Sequence, residues 1–172
     1  MDLVGEMLKN RIIILNDTVD NKSANDLILK LLYLDSLNHK DIFLYINSNG
    51  GDVFQGLAII DCMHYIKSKV ITVVVGTAYS MAAIILSCGE ERYSLPHSEI
   101  MIHQPMGNAS GKATEIISSS ERIRETRLLL AKMLTKNSKR TLKKILVDMD
   151  KDYFMKPEEA LEYGIIDKII SS

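Results

Sequence analysis

Cysteine and histidine are scarce in this sequence of 172 residues, with two of the first and four of the second. Cys62 and Cys88 fall inside predicted apolar helices, and their spacing suits neither a zinc site nor a redox pair. Buried free thiols in a reducing compartment are the expectation. Four histidines give a metal cluster little to build on, so no metal site is expected. An excess of either charge is also missing, since 21 Lys and Arg stand against 22 Asp and Glu. That balance gives no reason to expect a nucleic-acid partner. No apolar run approaches ~18 residues, and the opening M-D-L-V-G-E-M-L-K-N has no signal-peptide core. These absences argue against a membrane segment and for a cytoplasmic protein. Interdomain linkers and low-complexity tracts are lacking too, so one domain over 1–172 is expected. The 47% hydrophobic content is enough for a real core and argues against disorder.

What is present alternates. Residues 11–16 (R-I-I-I-L-N) read as a short buried strand. Ser23 to Asp26 then looks like a capping box, followed by Leu27, Leu31 and Leu34 at helical spacing. Residues 41–47 (D-I-F-L-Y-I-N) form a second strand, which leads through S-N-G-G-D to a helix with Val53, Leu57 and Ile60 on one face. A third unit begins with the β-branched run 70–75, turns at Gly76, Thr77 and Ala78, and continues as an apolar helix. A charged hairpin-like turn (Glu90, Glu91, Arg92) precedes a strand over 99–103. Repeated strand–helix units predict an α/β fold with mainly parallel strands. After the flexible G-N-A-S-G comes one long helix over about 112–136, then a helix over 140–147 and the acidic D-M-D-K-D. The chain closes with a short helix between Pro157 and Gly164 and a last strand. A helix of nearly ~40 Å would project from a domain of this size. Its Ile116, Ile117, Ile123, Leu128, Leu130 and Leu134 are too apolar for a free helix, which implies an oligomer.

Several residues carry two readings. Ser80 sits where the third helix should begin, so by itself it reads first as an N-cap and second as a nucleophile favoured by the helix dipole. His103 ends a strand, where active-site groups of parallel sheets gather, although a lone histidine is more often structural. Asp52 at a helix start complements the dipole more readily than it orients a base. Asp148, Asp150 and Asp152 form either a solvated junction or a source of an orienting carboxylate. Gly50-Gly51 is a plain turn or a set of exposed N–H donors for an oxyanion. His39, His64 and His97 read as loop or surface residues.

Taken in order, the segments resemble one family over nearly the whole chain, the proteolytic-subunit (ClpP) family of the Clp protease. The matching stretches are Y-I-N-S-x-G-G (45–51), G-x-A-x-S-M (76–81) and L-P-x-S-E-I-M-I-H-Q-P-M-G (95–107). To these are added G-x-A-T (111–114), D-x-D-K-D-Y-F-M (148–155) and E-E-A-L-E-Y-G-I-I-D (158–167). The resemblance implies a crotonase-like α/β superhelix with a globular head over about 1–104 and 138–172 and a handle helix within 105–137. It also implies a serine endopeptidase with Ser80 as nucleophile, His103 as base and Asp152 as the residue that orients the base. The oxyanion donors would be the N–H groups of Gly51 and Met81. Two stacked heptameric rings, fed with unfolded polypeptide by an AAA+ unfoldase, are the implied assembly. Phe43, Tyr45 and Tyr65 match aromatic positions of the ATPase-docking pocket, and Asp150 and Lys151 match a ring–ring contact.

Some positions depart from the family pattern. Asn49 replaces the usual proline before Gly-Gly, Tyr79 replaces an alanine before the serine, and Lys151 replaces an arginine. Tyr79 is expected to alter peptide access, and Lys151 to weaken the ring–ring junction. The matching also begins within the first few residues, so the axial entry loops are expected to be truncated or naturally absent. Two alternatives stay open. One is a non-catalytic or weakly active partner in mixed rings with a paralogue. The other is a crotonase-type acyl-CoA hydratase or isomerase.

Overall fold

A computed structural model describes residues 2–171. The apolar runs become strands because Val and Ile pack well on a pleated surface buried on both faces. They are β1 (Ile12–Leu15), β2 (Ile42–Ser48), β3 (Val70–Tyr79), β4 (Glu91–Ser94), β5 (Glu99–Ile102), β6 (Tyr153–Met155) and β7 (Lys168–Ile169). Between and around them run α1 (Leu3–Lys9), α2 (Asn21–Leu37), α3 (Val53–Tyr65), α4 (Met81–Ser87), α5 (Ala113–Lys136), α6 (Leu142–Asp148) and α7 (Pro157–Tyr163). The sheet runs β1-β2-β3-β4-β7, with β5 added to β3 and β6 to β5. Every strand pair is parallel except β5 with β6. The α/β fold expected from strand–helix repetition is the fold observed.

The spine is β3. Its first half pairs with β2 and β4, whereas Thr77, Ala78 and Tyr79 pair with β5. Gly76 lies between the halves at φ 91°, where the register against β2 jumps from Ile46↔Val74 to Ser48↔Ala78. Only glycine fits this backbone, because a Cβ would come within 2.6 Å of Asn47 Oδ1. The expected turn at 76–78 is therefore a bulge, and the strand carries on past it to deliver Ser80. Behind it α4 is buried along its whole length, as a helix apolar on every face must be.

Two other expectations are revised, and two short elements, β6 and α1, are added to those expected. The α2 helix starts at Asn21 with Asp20 as N-cap, and Ser23 completes the capping box from inside the first turn: Ser23 N–H donates to Asp20 (2.8 Å) and Ser23 Oγ accepts from Asp20 N–H (2.9 Å). The charged 90–92 segment is no hairpin turn but the entry to β4, parallel to β3 from Ile71↔Glu91 onward. Only Ser94 of that strand is buried, so it lacks the apolar alternation by which strands are recognised. The antiparallel β6 is three residues long and owes its conformation to pairing with β5. The α1 helix buries no residue.

The long α5 is present at the expected place. Its 24 residues span ~36 Å. Only Leu130, Ala131 and Leu134, in its last two turns, are buried, while Ile116 and Ile117 upstream are 41% and 58% exposed.

Candidate active site

Strand pairing brings the site together. Ser80 follows directly on β3 and its N–H donates to Met101 O of β5 (2.9 Å), which fixes the serine beside that strand. The antiparallel register Ile102↔Tyr153 makes His103 and Asp152 the next facing pair. Gln104 adds a clamp, its N–H donating to Met149 O (2.8 Å) and its Nε2 to Asp150 O (3.2 Å). Two segments 49 residues apart are thus held at one strand end.

The side chains form an unbroken chain. Ser80 Oγ lies 2.8 Å from His103 Nε2, and His103 Nδ1 lies 2.9 Å from Asp152 Oδ1. A carboxylate only accepts, so the imidazole proton sits on Nδ1 and leaves Nε2 free to accept from the serine hydroxyl. The imidazole is sheltered, with 15% of its side chain exposed, while Asp152 is 59% exposed. Ser80 stands at the N-cap position of α4 but makes no capping bond. Its φ of 54° and ψ of −123° are strained for a residue with a Cβ, a feature that turns the hydroxyl out of the strand-to-helix corner. The capping role weighed for Ser80 is therefore absent, and its hydroxyl points to the histidine instead.

Opposite Ser80, Gly50 packs so closely that a Cβ on it would lie 2.6 Å from Tyr79 O and 2.8 Å from Met81 N. Gly50 and Gly51 have φ of 86° and 154°. The N–H groups of Gly51 and Met81 donate to no acceptor among the described residues. Free backbone donors beside a hydroxyl are what a developing oxyanion needs. Asp52, read from the sequence as a complement to the helix dipole more readily than as an orienter, caps α3 by accepting from Gln55 N–H (2.9 Å).

A cleft of about 390 Å³ opens onto Ser80 and His103. Val53 and Phe54 line one wall and Ile123 and Thr126 of α5 the other, with Pro105 and Met106 between. Ser119, Arg122, Ile123 and Thr126 line it at helical spacing, a stripe that α5's sequence carries and that sequence reading passed over. Tyr79 does not line the cleft. Its ring stands edge-on to Phe154 (5.7 Å), and its hydroxyl donates to Glu99, which pushes the phenol pKa up.

A family model described as Clp protease matches the chain over residues 1–172. The chain belongs to the Clp protease family. Membership implies a ClpP-type serine peptidase in general terms, with the fold described above. Members of the Clp protease family form rings with Clp-type ATPases, which is the context for the remaining predicted positions. Tyr45 lines a shallow apolar hollow of about 340 Å³ with Met7, Ile12 and Ile14, whereas Phe43 and Tyr65 do not line it. Tyr65 is 84% exposed at the end of α3. Asp150 accepts from Arg127 Nη2 (2.5 Å) within the chain, and Lys151 is exposed and makes no ion pair among the described residues. No three His, Cys, Asp or Glu among the described residues cluster as a metal site, and no helix of theirs is long and apolar enough to cross a membrane. His64 Nε2 lies 3.2 Å from Cys88 O, and both cysteines are free.

Proposed function

We propose that this chain is the proteolytic subunit of an ATP-dependent Clp protease, a serine endopeptidase whose triad is Ser80, His103 and Asp152. The observation that carries it is the continuous hydrogen-bond chain from Ser80 Oγ through both imidazole nitrogens to Asp152. In the proposed reaction Ser80 Oγ attacks the scissile carbonyl carbon while His103 Nε2 takes the hydroxyl proton. The carbonyl oxygen becomes an oxyanion facing the N–H groups of Gly51 and Met81. His103 then returns the proton to the leaving amine, and water, deprotonated by the same histidine, releases the acyl group from Ser80. Asp152 holds the imidazole in the tautomer that makes both transfers possible.

The assembly proposed with this chemistry is a pair of stacked heptameric rings, of this chain alone or mixed with a paralogue. Residues about 1–104 and 138–172 would form the head and 105–137 the handle. The exposed apolar face of α5 supports that reading, because it wants cover from another chain. An AAA+ unfoldase would dock near Phe43, Tyr45 and Tyr65, and Asp150 and Lys151 would meet the opposite ring. The cytoplasm is the proposed compartment, supported by two free thiols.

The deciding experiment is labelling of the assembled protein by a fluorophosphonate probe, with peptide hydrolysis measured alongside. Ser80→Ala is expected to abolish labelling and lower turnover by ~10⁶-fold. Retained hydrolysis in that variant, or no labelling of the parent protein, would overturn the proposal.

A further inference from the structure

The cleft beside Ser80 has an apolar wall at Val53 and Phe54 and a mixed one on α5, where Ile123 stands among Ser119, Arg122 and Thr126, and its lining residues include two fixed charges, Asp52 and Arg122. The two are differently employed. Asp52 is engaged as the N-cap of α3, where its carboxylate accepts from Gln55 N–H and faces the positive end of that helix. Arg122 is engaged by nothing among the described residues. Of the six arginines in the chain, Arg11, Arg92, Arg127 and Arg140 each bond or pair with named partners. Arg122 and Arg124 do not, and of those two only Arg122 lines the cleft. Its neighbours in that wall, Ile123 and Thr126, are half-buried and fix the side of α5 that faces the substrate. A guanidinium offers five donors in a planar fork that matches a carboxylate.

We propose that Arg122 is a specificity-determining residue that selects peptides with an acidic side chain close to the scissile bond. The inference rests on Ser80 being the nucleophile of a peptidase, because only then is the cleft a peptide-binding site. Selection is directional. An Asp or Glu turned toward α5 meets an unpartnered cation, while one turned toward α3 meets Asp52 and is repelled. The preference therefore belongs to one subsite and not to the peptide's overall charge. A substrate carboxylate here replaces water on an exposed guanidinium, so the gain is moderate and screened by salt.

The test uses the Ser80→Ala protein as a trap and a positional set of fluorescein-labelled Ala/Leu hexapeptides. Each peptide carries one Glu, and a matched set carries Gln in its place. The expected result is a Glu-over-Gln preference of about fivefold at one position only, weaker at high salt. Adding Arg122→Gln should bring that ratio to about one, and Arg122→Glu should turn it toward a Lys-bearing peptide. Equal binding of Glu and Gln peptides at every position overturns the inference, as does a preference that survives Arg122→Gln. A preference at all positions alike would assign it to general charge and also overturns it. Failure of the peptidase reading looks different, since it shows as absent fluorophosphonate labelling of the parent protein.

Discussion

Ser80 is held in a backbone conformation that an isolated chain would avoid, at a standing disadvantage of ~1–3 kcal/mol. What holds it there is the bond from its N–H to β5 and the press of Gly50 from the other side. Gly50 has room for hydrogen alone. Gly50→Ala should therefore displace both the serine and the Met81 N–H, and we expect at least a ~100-fold loss of fluorophosphonate labelling rate. The fold should persist, so circular dichroism of the variant should match the parent. Normal labelling of that variant would show that the contact is looser than described. None of this strain was legible in the sequence. The segment G-T-A-Y-S-M announced a strand-to-helix junction, but φ at Ser80 depends on its bond to Met101 of β5, which lies far downstream in the chain. His103 and Asp152 became legible as partners through resemblance to a family. Neither periodicity nor spacing joins them to Ser80, because their approach depends on the β5–β6 register.

At the scale of elements, strands and helices long enough to show a period were readable within a residue or two. β1, β2, β5 and α5 are examples, each carrying its own apolar pattern. β4, β6 and α1 were not, because four polar residues, three paired residues and a short helix with no buried face have no such pattern. A contact between elements shows what else lay hidden. Asp35 on α2 accepts from the N–H groups of Lys67 and Ser68 and from Ser68 Oγ, just before β3 starts, and lies 3.0 Å from His39 Nδ1. Desolvation alone would raise its pKa, but these bonds outweigh it and bring the carboxyl down from 3.8 to about 2. A carboxylate depressed in the folded state stabilises above its unfolded value and loses that contribution as pH falls through the folded one. Thermal stability should therefore fall between about pH 4 and pH 2, and Asp35→Asn should flatten part of that fall. Melting curves of the two proteins across that range, at fixed concentration, would show no difference if the bonds are idle.

Over the whole molecule, one side chain gathers distant parts. Arg92 of β4 forms a two-point ion pair with Asp167 and donates to the carbonyls of Asn137 and Gly164, the C-caps of α5 and α7. A cation at two helix C-termini offsets their negative dipole ends as well as satisfying their carbonyls. Arg92→Ala should destabilise the protein by about 2–3 kcal/mol, discounted from the figure for a fully buried pair because Asp167 is 42% exposed. Chemical denaturation at fixed protein concentration would check it, and a change below ~1 kcal/mol would mean that water replaces the guanidinium readily.

The uneven anchoring of α5 has a consequence for how such a protein changes over generations. Its last turns are locked by Leu130, Ala131 and Leu134, and truncating either leucine to alanine would remove several contacts at once. In the turns that carry Ser119, Arg122 and Thr126 no residue is fully buried, and Arg122 is exposed and unpaired among the described residues. Substitution of Arg122 is nearly free of a stability penalty within the chain, yet it lines the cleft beside Ser80. Selection can therefore rewrite what this cleft accepts without first having to rescue a weakened fold.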